Sequence, residues 1–349
     1  EEQAGRALWS GLIDPPELSE RPGWGPHGAI KDNSGTDVVL HAGKAMSLWY
    51  QCGDAYRLDA RTLEQYGADE FGGDRPTAGI SAHSHVDEVT GDLLFFNYDT
   101  KPPFMNYGVI DKNNNVTHYV PIDLPGARLP HDMSFTENYS ILLDLPLFWD
   151  AELLKDNVHR VKFHRDTPSR FGIIPRFGTS DDIRWFETDP CYIYHTLNAY
   201  EDGDWVVLDA SIVDHPEPAT PAWAYPFGKI RRGLAYTDPY AMGMHPYRWR
   251  FNMKTGETRH ESIDDLCAEF PMGNSRVAGR KMRYGYYSLM NWGILGMTGL
   301  VKYDFQTGKR EVFHYGNGRI GSEAPFAPKT GAKDEDDGYI VTYITDMIE

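Results

Sequence analysis

Cysteine is almost missing from this sequence: Cys52, Cys191 and Cys267 are the only three, and they lie far apart. A scattered, odd set provides neither a disulfide framework nor a Cys-based metal motif, which suits a reducing, cytoplasmic setting. Cationic charge is also short, with 34 Lys and Arg against 51 Asp and Glu and a net charge of −17. That balance argues against nucleic acid, which needs a basic surface, and against simple attraction to anionic lipid. Peripheral membrane contact through an apolar patch stays open. No apolar run is long enough to span a bilayer. No signal peptide is legible, but the chain opens at Glu1-Glu2-Gln3, so its natural start is expected upstream.

Helical periodicity is scarce as well. The one segment that reads as a short helix is Pro146–Leu154, with Pro146 tolerated in its first turn. What the sequence does have is turns and flat side chains: 34 Gly, 23 Pro and 13% aromatics in 349 residues. A five-residue frame recurs between short apolar runs, at Asp87-Glu88-Val89-Thr90-Gly91, Asn252-Met253-Lys254-Thr255-Gly256 and Asp304-Phe305-Gln306-Thr307-Gly308. Looser versions start at Asp59, Asp111 and Glu201. In each, an Asx side chain can cap the turn and Gly or Asn can take a positive φ. The flanks read as strands at Asp37–Leu40, Met105–Ile110, Val116–Pro121, Ser140–Leu143, Trp205–Ala210, Gly299–Tyr303, Glu311–His314 and Tyr339–Ile344. Hairpins at wide spacing with long insertions describe the blades of an all-β propeller, with an ordinary β-sandwich as the rival. The aromatic segment from Trp223 to Arg250 reads either as a long inter-blade excursion or as an apolar lid over a hydrophobic substrate. The acidic stretch Ala332–Asp337 reads as a solvated loop.

Most of the 13 histidines need no function. His118, His164, His260 and His314 lie in or beside strands and turns, where a surface or satisfied core imidazole is the default. His83, His131 and His195 differ in context: each lies at the edge of a blade-like strand, 48 and 64 residues apart. Such separations exclude a local metal motif but suit a propeller, whose axis gathers the inner strands of successive blades. From the residues alone, three unrelated histidines remain the simpler reading.

These segments resemble the carotenoid cleavage oxygenases, which include lignostilbene dioxygenases and the retinal pigment epithelium retinoid isomerase. The resemblance runs over nearly the whole chain, through His41-Ala42-Gly43-Lys44, Ala82-His83, Pro130-His131-Asp132-Met133, His195-Thr196-Leu197-Asn198-Ala199, Glu269-Phe270-Pro271, Tyr284-Gly285-Tyr286 and Ser322-Glu323-Ala324-Pro325. It implies a seven-bladed propeller with a small helical and loop cap over an axial metal site. It also implies Fe(II) held by histidines alone, with His83, His131 and His195 as ligands and O2 as co-substrate. Glu269 would orient His195, and Glu323 would orient a fourth histidine. Thr36 would narrow the open coordination position. The implied reaction is oxidative cleavage of a conjugated C=C bond in a small hydrophobic stilbene, phenylpropenoid or apocarotenoid, giving two carbonyl products.

The sequence departs from the family pattern in three places. No histidine follows His314, so the fourth ligand is not found. Residues 1–349 are therefore expected to be a single propeller domain incomplete at both ends, its terminal strands missing. Gln51 stands where many relatives carry the glutamate that orients the second histidine. Ile80 stands where stilbene cleavers carry a phenol-binding lysine; Tyr50 could meet a phenol instead, and Leu197 is a further pocket candidate. The competing reading is a catalytically inactive propeller that serves as a binding scaffold. Isomerohydrolase chemistry without O2 uptake is a third.

Overall fold

The computed structural model describes residues 30–149, 161–213, 243–291 and 296–348, with a few isolated positions before residue 30. Among these residues the chain is all-β, apart from three single-turn 3-10 segments, and it forms five consecutive blades of a propeller arrangement. The first blade is the meander Asp37–His41, Lys44–Leu48, Tyr56–Leu58 and Gln65–Ala68. The second is His85–Val86, Leu93–Tyr98, Phe104–Ile110 and Val116–Asp123. The third is Ser134–Phe135, Tyr139–Asp144, Ser169–Pro175 and Arg184–Thr188. The fourth is Tyr192–Asp202, Trp205–Val213, Met244–Asn252 and Thr258–Ser262. The fifth begins with Ala268–Met272, Tyr284–Asn291, Gly296–Asp304 and Lys309–His314.

The recurring turn frame is what closes these hairpins. Asp87, Asn252 and Asp304 each accept backbone N–H groups two or three residues ahead through their side chains. Gly91, Gly256 and Gly308 then sit at φ of 81°, 84° and 69°. At the looser copy Leu63 takes the glycine place with φ 60°, a conformation that costs a residue with a Cβ.

Burial follows position within a blade. Leu93–Tyr98 is buried on both faces because neighbouring blades cover it, whereas the outer strand Val116–Asp123 alternates half-buried and exposed. The main core packs Phe96, Tyr107, Ile141, Phe171, Val206, Trp249 and Phe251 between the second, third and fourth blades.

Four expectations change on contact with the structure. Leu147–Trp149 is a strand paired with Val161–Phe163, not the start of a helix; residues 150–160 lie outside the described residues. Tyr339–Ile344 is not one strand but parts of two, Gly338–Ile340 and Ile344–Asp346. The aromatic segment is not inter-blade: Val213 pairs with Met244, so it is inserted inside the fourth blade, and Met244–Asn252 is a regular strand. Residues 214–242 lie outside the described residues. The acidic stretch is also less solvated than expected, because the Glu335 carboxylate accepts the backbone N–H groups of Arg283 and Tyr284.

In an up-and-down sheet, the start of strand one and the connection between strands two and three lie at the same edge. The register places the described connections 49–55 and 99–103 at that edge. One end of the propeller therefore carries both the starts of the innermost strands and these connections.

Candidate metal centre

At that end each blade sends one chemistry-bearing side chain inward, from the start of its first strand or the residues just before it. They are Asp37, His83, His131, His195 and Glu269 from the first to the fifth blade in turn. His83, His131 and His195 each offer one ring nitrogen, and these lie within 4.8 Å of one another. The ring centroids are 4.9 Å apart for His83 and His131, 4.7 Å for His83 and His195, and 5.1 Å for His131 and His195.

Carboxylates hold two of the rings from behind. His195 Nδ1 donates to Glu269 Oε2 at 2.8 Å, which fixes the tautomer and leaves Nε2 facing the cluster. Phe270 N–H donates to the same oxygen. His83 Nδ1 lies 3.5 Å from Asp37 Oδ2, and His83 Nε2 is buried without a hydrogen-bond partner among the described residues. A buried nitrogen in that state is costly unless something else accepts its lone pair. His131 lies between the rings of Tyr50 and Tyr194, both 5.2 Å away. The backbone is bent to make this fit: His83 and Phe270 take φ of 56° and 53°, and such outliers concentrate at functional sites.

The electrostatics set the rings apart. Burial, then repulsion from His83 and His195, holds His131 well below the usual imidazole range and therefore neutral. Burial also works against a charged His195, but the Glu269 carboxylate outweighs it and pushes that group up to about 9. The neutral-imidazole donor set suits a transition metal such as Fe, Cu, Ni or Zn. The three nitrogens are close enough to share one ion.

The other expected site residues are less convergent. Gln51 is buried, but its Nε2 donates to Tyr50 Oη at 2.9 Å while its Oε1 finds no partner among the described residues. Thr36 Oγ1 accepts the Tyr50 N–H at 3.3 Å. Ile80 is fully buried in a cluster with Met46, Leu48 and Phe71. Leu197 packs toward Gly285 and the core of the fifth blade. Glu323 is exposed just past the strand Arg319–Gly321, though its charge is felt at His195. Asp37, Tyr194, Phe270, His85 and Asp132 were given no role by sequence reasoning.

Comparison with known proteins decides the family. A family model described as "Retinal pigment epithelial membrane protein" matches residues 1–349. The chain belongs to that family. This family member is 33% identical over 332 residues to "Carotenoid 9,10(9',10')-cleavage dioxygenase 1" of Arabidopsis thaliana, covering 89% of this chain and 59% of the relative. It is 27% identical to the isoeugenol monooxygenase of Pseudomonas nitroreducens over 88% of this chain and 66% of that protein. The lignostilbene dioxygenase of Pseudomonas brassicacearum has the same fold, with a TM-score of 0.82 at 23% identity over 99% of this chain and 73% of that one. The chain thus spans about 59% of the length of the plant relative. Among the described residues no helix is long and apolar enough to cross a membrane.

Proposed function

We propose that this chain carries the metal-binding body of a non-haem Fe(II) dioxygenase that cleaves a conjugated C=C bond into two carbonyl products. The observation that carries it is the meeting of His83, His131 and His195 from three blades, with Nε2 of His83 buried and unpartnered among the described residues. The names of the relatives support the reaction class, and the donor set fits iron. When bound, the ion would supply activation of O2, so no general base is needed.

The protein's own part is to present lone pairs and exclude water. Glu269 orients His195, Asp37 faces Nδ1 of His83, and burial keeps His131 neutral. Glu323 is assigned to a fourth ligand. Gln51 supports Tyr50, which with Tyr194 and Phe270 borders the site with aromatic faces suited to a flat conjugated substrate. Thr36 holds the Tyr50 backbone N–H, Ile80 belongs to the buried cluster against which Tyr50 packs, and Leu197 fixes the His195 strand against the fifth blade. The absence of a cation at Ile80 lowers the case for a 4-hydroxystilbene and leaves an apocarotenoid or a phenylpropenoid as the substrate class. Exposed Val38, Leu40, Phe313, Tyr343 and Ile348 are apolar faces that two further blades of a seven-bladed ring would cover.

The test is iron content per chain after anaerobic Fe(II) loading and desalting, for wild type and His195→Ala. Near-stoichiometric iron that is lost in the variant is expected, followed by O2 uptake with apocarotenals or isoeugenol-like alkenes. Background iron in both proteins would end the proposal.

A further inference from the structure

Beneath the histidines lies a carboxylate that the reaction does not use. Asp132 follows His131 directly and is buried, with 2% of its surface exposed. Its Oδ1 accepts His85 Nε2–H at 2.8 Å and the Met133 N–H at 2.6 Å. Its Oδ2 accepts the Thr196 N–H at 2.7 Å and the Thr196 Oγ1–H at 3.1 Å. Thr196 Oγ1 is also 3.0 Å from the Met133 carbonyl, so its one proton is shared between two acceptors of the His131 segment.

The donors are not a random set. His85 is two residues past His83, and Thr196 is one past His195. One carboxylate therefore links all three histidine-bearing segments, through the His85 imidazole and the backbone N–H groups of Met133 and Thr196, and these segments enter from three separate blades. We propose that Asp132 is a positioning residue that sets the spacing of the three imidazoles, with His85 and Thr196 as its two arms. The proposal rests on the metal-centre reading above.

The chemistry requires an anion there. A carboxylate has two acceptor oxygens, and both are filled by donors from different segments. An asparagine offers one oxygen and one NH2, so one of the two arms would face a donor with a donor. Neither Asp132 nor His85 contributes the atoms nominated for the ion, so their effect would come through the histidines. Partners of this kind are worth about 10–100-fold in metal affinity.

The experiment titrates Co(II) anaerobically into wild type, Asp132→Asn, His85→Phe and His85→Gln. The dissociation constant and the visible d–d spectrum are followed, with the metal-free melting temperature measured alongside. Asp132→Asn is expected to bind about 10–100-fold more weakly with a shifted spectrum. His85→Phe should weaken binding in the same direction, and His85→Gln, which restores an N–H donor, should recover it. If Asp132→Asn does not fold, the Phe and Gln pair decides. Wild-type affinity and spectrum in Asp132→Asn, or in both His85 variants, would overturn the clamp. Equal loss in His85→Phe and His85→Gln would overturn it too. Failure of wild type itself to bind Co(II) would instead overturn the metal-centre reading.

Discussion

Without metal, His195 holds its proton up to about pH 9, because the Glu269 carboxylate outweighs the burial that opposes the charge. The sign has two consequences. A folded-state value of about 9 against an ordinary 6.5 stabilises the metal-free fold below pH 6.5 and is lost as pH rises through 9. The size is on the order of 3 kcal/mol for that shift. Metal uptake runs the other way, since the ion needs the lone pair that the proton occupies. Between pH 6.5 and 9 the metal dissociation constant should therefore fall about tenfold per pH unit, with one proton released per ion. Calorimetric titration in buffers of different ionisation enthalpy measures that proton directly; a flat profile would exclude His195 from the ligand set. Glu269→Gln keeps an acceptor but removes the charge. It should weaken metal binding about 10-fold or more while abolishing most of the pH slope, which the same titration would read. Glu269 was legible in the sequence only through family resemblance, and Asp37 not at all. Each lies 46 or more residues from its histidine, and nothing local marks such a pair.

The elements differ in how much of themselves they show in sequence. The Asx–Gly turns were readable because their chemistry is complete within five residues: capping side chain, donors and positive-φ glycine are all local. The short apolar run at Leu147–Trp149 was read as helix because a few residues cannot distinguish the two periods, and its pairing partner Val161–Phe163 lies beyond any local window. Two substitutions test the turn argument with opposite signs. Leu63 is exposed and occupies the left-handed place that Gly fills elsewhere. Leu63→Gly should cost nothing or stabilise by up to about 1 kcal/mol. Gly79, at φ 73°, is the contrary case. A Cβ there would stand 2.1 Å from the Cys52 carbonyl oxygen, at the turn that leads through Ile80 to His83. Gly79→Ala should destabilise by roughly 2–4 kcal/mol and weaken metal binding with it. The urea midpoint should fall for Gly79→Ala and hold or rise for Leu63→Gly; a fall in both would refute the assignment of strain to φ.

For the whole molecule, the decisive fact is that the three histidines come from three blades, flanked by carboxylates from the two blades on either side. Sequence could supply the segments but not their convergence, which arises only when separate meanders are arrayed around an axis. A single ion in that position would cross-link the second, third and fourth blades. Because the unfolded chain holds the three imidazoles 48 and 64 residues apart, it offers no comparable site. Metal then acts on the global equilibrium by mass action, adding about 2.7 kcal/mol at a hundredfold excess over the dissociation constant. In a chain of 349 residues this corresponds to a rise of several degrees in the melting temperature. The rise should scale with the logarithm of free Co(II) or Fe(II) and should vanish equally in His83→Ala, His131→Ala and His195→Ala, since two imidazoles from two blades no longer form the site. Thermal melts across a metal series separate this from surface binding to an acidic protein of net charge −17, where Mg(II) would stabilise as well and all three variants would respond like wild type.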